Sequence, residues 1–277
     1  MPNFATNLHY LFNEVPFLER FERAAAWGFR AVEFQVPYEC PAQQLADLLA
    51  QHKLTLALID TPTGNWQAGD RGLASVPGRE AEFLSGLEKT IAYARVLKPD
   101  CVHVLAGVYD PSTAYELAED TFVTNLKIAA KALAEIDVAA VIEPINNKMD
   151  IVKGGERYVT HGMRGFFLHR VDQARRIMHR VGHDNLFLHL DLYHQQIMQG
   201  RLAETLRENI GVIRHIQFAG VPGRYEPNVG EINYPFLFNL IDELGYCGWV
   251  GCEYRPRTTT EAGLKWAKAY GIKPPGM

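Results

Sequence analysis

The sequence predicts an α/β chain folded as one closed (β/α)₈ barrel, and three observations carry that expectation. Eight short apolar segments alternate with longer stretches that have apolar residues at three- and four-residue spacing. The length of 277 residues matches the roughly 250 that such a barrel needs. No linker or shift in composition divides the chain, so residues 1–277 read as one domain.

In order along the chain, the expected strands are Phe4–Leu8, Ala31–Phe34, Leu54–Ile59, Cys101–Leu105, Ala139–Glu143, Leu186–Asp191, Ile213–Ala219 and Trp249–Glu253. VAAVIE and NLFLHL are nearly continuous apolar runs, the pattern of parallel strands covered on both faces. Between strands, Phe17, Phe21, Ala24 and Ala25 form one helical stripe, and Leu237, Leu240, Ile241 and Leu244 form another. Pro16 and Pro41 suit first turns of helices, whereas Gly28, Gly182 and Gly245 suit helix ends.

Two connections exceed the usual loop length. Residues 60–77 (DTPTGNWQAGDRGLASVP) follow the third strand, and residues 144–168 (PINNKMDIVKGGERYVTHGMRGFFL) follow the fifth. Loops this long are expected to be lids or binding loops. Both follow strands, so both belong over the C-terminal face, where barrel active sites are built. The second segment and its flank carry Lys148, Lys153, Arg157, Arg164 and Arg170, which read as a solvated insertion or as a lid or oligomer contact.

Composition narrows the function classes. With 47% apolar and 22% charged residues the chain can bury a large core and lacks disordered character. A net charge of −4 argues against a general nucleic-acid binder. No stretch approaches the roughly 18 apolar residues that span a bilayer. The opening MPNFATNLHYLF lacks the features of a signal peptide, and Cys40, Cys101, Cys247 and Cys252 share no paired spacing. A cytoplasmic protein with reduced thiols is expected.

The chemistry is written at the strand ends. Glu143 ends the fifth strand (VIEP), Asp191 the sixth (HLDLYH, with His194 three residues on), Gln217 nears the end of the seventh (IRHIQFAG) and Glu253 ends the eighth (WVGCEY). Buried carboxylates are costly unless paired or metal-bound, and three converging on one point raise one another's pKa values. A divalent cation resolves both problems, and oxygen donors favour Mg²⁺ or Mn²⁺, with Co²⁺ as a further candidate. Period-two alternation places His189 one layer below Asp191 and His215 one layer below Gln217, as supports of the ligands or as core histidines. Glu33 in AVEF and His103 in CVHVL raise the same question, and Trp66 stands in the first long loop.

The blocks FATNL, GFRAVEFQVPY, PTGNWQAGDRGLASVPGRE, VIEPIN, LDLYHQQ, GEINYPF and GYCGWVGCEYRPRTTTEAGL together cover most of the chain. In these the sequence resembles the hydroxypyruvate isomerase family of the xylose-isomerase-like TIM barrels. The resemblance implies that Glu143 and Glu253 are metal ligands and the acid–base pair, and that Asp191 and Gln217 complete the ligand set. It implies that His194 and Arg224 contact the substrate. The ketose 3-epimerases of this superfamily usually carry His where Gln217 stands, so Gln217 sides with the isomerases.

The implied reaction interconverts hydroxypyruvate and tartronate semialdehyde by proton transfer through an enediolate. Arg224 would clamp the substrate carboxylate, although a surface pairing with Glu226 is an equal alternative. A 2-oxo-tetronate isomerase or a ketose 3-epimerase would use the same site. An apurinic-site endonuclease-like protein or a non-catalytic sugar-binding barrel stands further off. The expected partners are a small hydroxy-carbonyl acid or sugar and, as an option, further copies of the chain; no nucleic acid or membrane is expected.

Overall fold

The computed structural model describes residues 1–148 and 162–274, together with the backbone of two short antiparallel strands at Ile151–Lys153 and Glu156–Tyr158. The side chains of Lys153 and Arg157 therefore lie outside the described residues.

Eight parallel strands close into a barrel. They are β1 (Asn3–Asn7), β2 (Ala31–Glu33), β3 (Thr55–Asp60), β4 (Cys101–His103), β5 (Ala139–Ile142), β6 (Leu186–Asp191), β7 (Ile213–Phe218) and β8 (Trp249–Cys252). Each pairs with its sequence neighbours, and β1 pairs with β8 to close the ring. Helices α1 (Arg20–Ala26), α2 (Ala42–Gln51), α3 (Glu80–Leu97), α4 (Tyr115–Ala134), α5 (Val171–Val181), α6 (Leu192–Met198), α7 (Leu202–Asn209) and α8 (Tyr234–Glu243) fill the connections.

All eight strands fall within two residues of the sequence expectation. The largest difference is at β4, which ends at His103, two residues before the expected Leu105, while β3 extends one residue further, to Asp60. Asp60 N–H donates to the Gln35 carbonyl at 2.7 Å, and Asp60 is in register with His103. Ladder pairing, rather than side-chain polarity, decides where this strand stops. Pro16 and Pro41 sit one residue earlier than expected, at the N-cap positions of their helices. Gly182 closes α5 in the left-handed region at φ +60, as its lack of a Cβ permits.

The segment from 144 to 168 is not one continuous loop, because the two short strands interrupt it. Arg170 at its flank is exposed and paired with Asp172 at 3.0 Å. Cys101 and Cys252 are buried in the strands, Cys40 is half-buried and Cys247 is exposed. Among the described residues no helix is long and apolar enough to cross a membrane.

Most of the apolar core lies between the strands and the surrounding helices. Its seam is at the closing strands, where Phe4, Phe218, Phe238, Trp266 and Tyr270 pack mostly edge to face at centroid separations of 5.0 to 6.0 Å. Inside the barrel, Ala5, Ala31 and Ala57 pack with Trp249. Next to them the interior turns polar. Glu33 crosses the barrel to lie over Gly251 of β8, where an added Cβ would sit 2.3 Å from its carboxylate oxygen.

That close approach yields a prediction. Gly251→Ala should destabilise the protein by roughly 1–3 kcal/mol in urea unfolding through overpacking against a buried carboxylate. Gly211→Ala, with nothing within 4 Å of its added Cβ, should be close to neutral. Equal stability of the two variants would show that Glu33 does not occupy the space above Gly251.

Candidate active site

The C-terminal mouth of the barrel opens into a cavity of about 1070 Å³. Its floor is built around residues at or just beyond strand ends: Glu143, Gln217 and Glu253 line it, and Asp191 lies behind the lining residues His194 and Arg224. Glu143 follows β5, Asp191 ends β6, Gln217 lies in β7 and Glu253 follows β8. Parallel strands in register bring these positions to one level; Asp191 and Gln217, for example, are direct partners. All four residues are buried.

The acids are crowded. Burial, with Glu253, Asp191 and Asp60 nearby, drives Glu143 well above the ordinary carboxylate range. Burial pushes Glu253 up to about 8 and Asp191 up to about 6, both held back by the Arg224 guanidinium. Glu143 Oε1 is buried and has no hydrogen-bond partner among the described residues. Glu143, Asp191 and His194 offer donor atoms within 4.8 Å of one another. An acceptor with no donor, surrounded by acids that raise one another's pKa, fits a hard divalent cation held by carboxylate oxygens.

Arg224 is the buried cation among the residues that line the cavity. It is buried and donates from Nη2 to Glu253 Oε2 at 2.5 Å, with Asp191 Oδ2 3.5 Å away. The surface pairing with Glu226 does not occur. Glu226 is itself buried and accepts from the backbone N–H of Arg257. Tyr10 and Tyr193 flank the guanidinium at 5.0 and 5.2 Å. The Arg224 backbone lies at φ +59, a conformation held in part by the Arg255 N–H bonding its carbonyl at 2.7 Å.

His194 sits in the first turn of α6, within a helix whose N-cap is Asp191. Its Nδ1 is 2.7 Å from Asn146 Nδ2, and Asn146 Oδ1 accepts from the Lys148 N–H. An amide nitrogen can only donate, so Nδ1 accepts and Nε2 carries the proton. That N–H points toward Asp191 Oδ2 at 3.4 Å and Glu143 Oε1 at 3.9 Å. His194 is therefore set as a donor toward the acids or toward a ligand oxygen.

Under the acids lies a hydrogen-bonded layer. Glu33 accepts from Asn7 Nδ2 (2.9 Å), Gln217 Nε2 (2.7 Å) and His215 Nε2 (2.6 Å). Gln217 Oε1 accepts from His189 Nε2 at 2.7 Å. The second lone pair of that carbonyl is available to a cation. Glu33, His189 and His215 thus act as one support network, connected to Gln217 at both ends of its amide.

The first long loop follows β3 over this mouth. Thr63, Gly64, Trp66 and Arg71 line the cavity. Trp66 is half exposed, with the Arg71 guanidinium 3.5 Å from its ring centroid. From the second long segment, Ile145 and Met163 reach the cavity.

Sequence reasoning passed over Asp60, Gln35 and Asn146. Asp60 is a polar residue at the end of an apolar run, LALID, the same signal that singled out Glu143. Gln35 donates to Glu253 Oε1 at 2.8 Å, and Asn146 sets the His194 tautomer. Neither has a local signature, because each matters only through a partner distant in sequence.

A family model described as the xylose isomerase-like TIM barrel matches residues 21–270. A 2-oxo-tetronate isomerase of Cupriavidus necator is 47% identical over 98% of this chain and 99% of its own length. The hydroxypyruvate isomerase of Escherichia coli is 43% identical over 98% of this chain and all of its own. A solved structure named as an AP endonuclease of family 2 from Brucella melitensis is 42% identical, superposes with a TM-score of 0.91 and covers 98% of this chain and 99% of its own. The chain belongs to the xylose isomerase-like TIM barrel family, within the group of isomerases that these full-length relatives represent.

Proposed function

We propose that this protein isomerises a short hydroxy-carbonyl acid at a divalent metal, with hydroxypyruvate ⇌ tartronate semialdehyde as the reaction. The carrying observation is the convergence of the buried carboxylates Glu143 and Glu253 on one cavity beside a single buried guanidinium, with Asp191 lying behind it against that guanidinium. The two named relatives, aligned over essentially full length, support the same reaction type. In this reading Glu143, Asp191, Gln217 and Glu253 hold the cation, Mg²⁺ or Mn²⁺ by donor chemistry. A bound divalent cation supplies Lewis-acid polarisation of the substrate carbonyl and charge to stabilise an enediolate.

The chain's own groups do the proton chemistry. Glu143 and Glu253 flank the floor on strands three steps apart in the barrel. One carboxylate takes the proton from C3 of hydroxypyruvate, and the other returns a proton to C2. The hydroxyl proton moves from O3 to O2. Raised pKa values suit both groups to exchange protons near neutral pH. His194 Nε2–H donates to a substrate oxygen. Arg224, already aimed at carboxylates, would hold that of the substrate. The loop over 60–77 covers the mouth and limits the access of water to the enediolate.

A four-carbon 2-oxo acid is the second reading. A cavity of about 1070 Å³ is far larger than a three-carbon acid requires, and one of the named relatives is a 2-oxo-tetronate isomerase. A coupled assay on both compounds, with and without chelator, tests the two. Glu143→Gln and Glu253→Gln should each lower kcat by about 10²–10⁴-fold at unchanged fold. A higher kcat/KM on the four-carbon acid selects the second reading. Inactivity on both overturns the first and the second.

Metal binding should depend on pH in a definite direction. Asp191 and Glu253 titrate at about 6 and about 8 in the folded chain, above their ordinary values of 3.8 and 4.5. Their protonated forms stabilise the metal-free fold at low pH, and that contribution is lost as pH rises through 6 to 8. A cation must displace those protons, so Mn²⁺ affinity and the thermal shift it produces should both grow from pH 6 to 8.5. Calorimetric titration with proton counting checks this; a flat profile would remove these acids from the ligand set.

A further inference from the structure

The cavity is not evenly charged. Its floor carries Glu143, Glu253 and the buried Arg224, and three further cations line it: Arg71 on the loop after β3, Lys89 on α3 and Arg255 beyond β8. Arg71 is half-buried, and Lys89 and Arg255 are exposed, so the three stand toward the outside of the mouth. The remaining acids of the lining are Glu39 and Asp60. None of the three outer cations forms an ion pair among the described residues.

Arg71 is nevertheless held in one place. Its Nη1 donates to the carbonyls of Asp70 at 2.6 Å and Trp66 at 3.1 Å, and its guanidinium packs 3.5 Å from the Trp66 ring centroid. The adjacent acid is turned to other partners: Asp70 accepts from Arg79 Nη1 and from the Asn65 N–H, each at 2.7 Å. The loop is also fastened to the barrel. The Gly72 N–H donates to the Thr63 carbonyl at 2.8 Å, Gly72 bridges to Ala106, and at φ +108 an added Cβ there would collide with Leu105. Nε and Nη2 of Arg71 have no acceptor among the described residues. A guanidinium fixed in this way has already lost the side-chain freedom that capture of an anion would otherwise cost.

The other two cations rest on aromatic rings. Lys89 Nζ lies 5.0 Å from the Tyr38 ring centroid, and the Arg255 guanidinium lies 5.9 Å from that of Tyr10. A ring orients a cation without cancelling its charge. The floor already accounts for the reacting carbons and the first carboxylate of a substrate. A cavity of about 1070 Å³ leaves room beyond them, and that room is bordered by Arg71, Lys89 and Arg255.

We propose that Arg71, with Lys89 and Arg255, forms a distal anion subsite, and that the barrel accepts a four-carbon hydroxy-carbonyl acid carrying a second anionic group, phosphate or carboxylate, at the end remote from the reacting carbons. Arg71 supplies paired N–H donors of the kind that fit either group, and the two exposed cations add charge around it. The proposal rests on the isomerase reading for the reaction at the floor; the subsite itself stands on the placement of these three side chains.

The test is calorimetric titration of the full-length protein in Mg²⁺ with three unreactive four-carbon acids: erythronate, 4-phosphoerythronate and tartrate. The wild type should bind one of the two doubly anionic acids at least about tenfold more tightly than erythronate. Tighter binding of 4-phosphoerythronate assigns the subsite to phosphate, and tighter binding of tartrate assigns it to carboxylate. Arg71→Met should abolish the preference and leave erythronate affinity unchanged. Because Arg71 also holds its loop, Lys89→Met and Arg255→Met provide the second measurement; each should reduce the preference by about threefold with the thermal midpoint retained. Equal affinity for all three acids, or a preference that survives Arg71→Met, overturns the proposal. So does a loss confined to Arg71→Met and accompanied by a lowered thermal midpoint, which marks Arg71 as a staple of its loop alone. Absence of turnover on hydroxypyruvate and on the four-carbon 2-oxo acid overturns the isomerase reading and leaves these affinities standing.

Discussion

The interior of this barrel is governed by the cost of burying negative charge. Glu33, Asp60, Glu143, Asp191 and Glu253 are all buried within or at the mouth of the strands, and among the described residues Arg224 is the guanidinium that faces them. A bare carboxylate in such a place costs several kcal/mol, which is why each one is hydrogen-bonded, protonated or presented to a cation. Glu33 takes the first course, with three donors. Glu253 takes a guanidinium and an amide. Glu143 retains an oxygen without a donor among the described residues.

The fold makes this arrangement attainable. Closing eight parallel strands in register brings residues far apart in sequence to one level, as with Glu33 and His215, or Glu253 and Gln35. Small residues at Ala5, Ala31, Ala57 and Gly251 leave room for long polar side chains to cross the interior. Polar side chains therefore take the interior layer where branched apolar residues are usual. The apolar core has moved to the helix–strand interface, sealed at the β1–β8 closure by the aromatic cluster.

The network also assigns proton positions without any outside reference. A carboxylate that can only accept orients Gln217, which in turn orients His189; Asn146 does the same for His194. One histidine is left with a lone pair toward the acids and the other with an N–H. The two chemical characters come from partners on other strands and loops, since both residues lie in the same β6–α6 segment.

The sequence by itself determined the barrel, its eight strands and the level at which its buried carboxylates stand. Alternation of apolar runs with amphipathic stretches is a local signal, and a carboxylate directly after a buried run can be recognised one strand at a time. Glu143, Asp191 and Glu253 were legible for that reason. Tertiary structure decided the partners. It paired Arg224 with Glu253 rather than with Glu226 two residues away, because the chain turns the guanidinium inward at φ +59. It added Asp60 to the acids through the register of β3 against β4, and it bound Gln217 to Glu33 across 184 positions of sequence. Hydrogen bonds of that reach leave no periodic trace in the chain, so only the closed barrel shows which donor meets which acceptor.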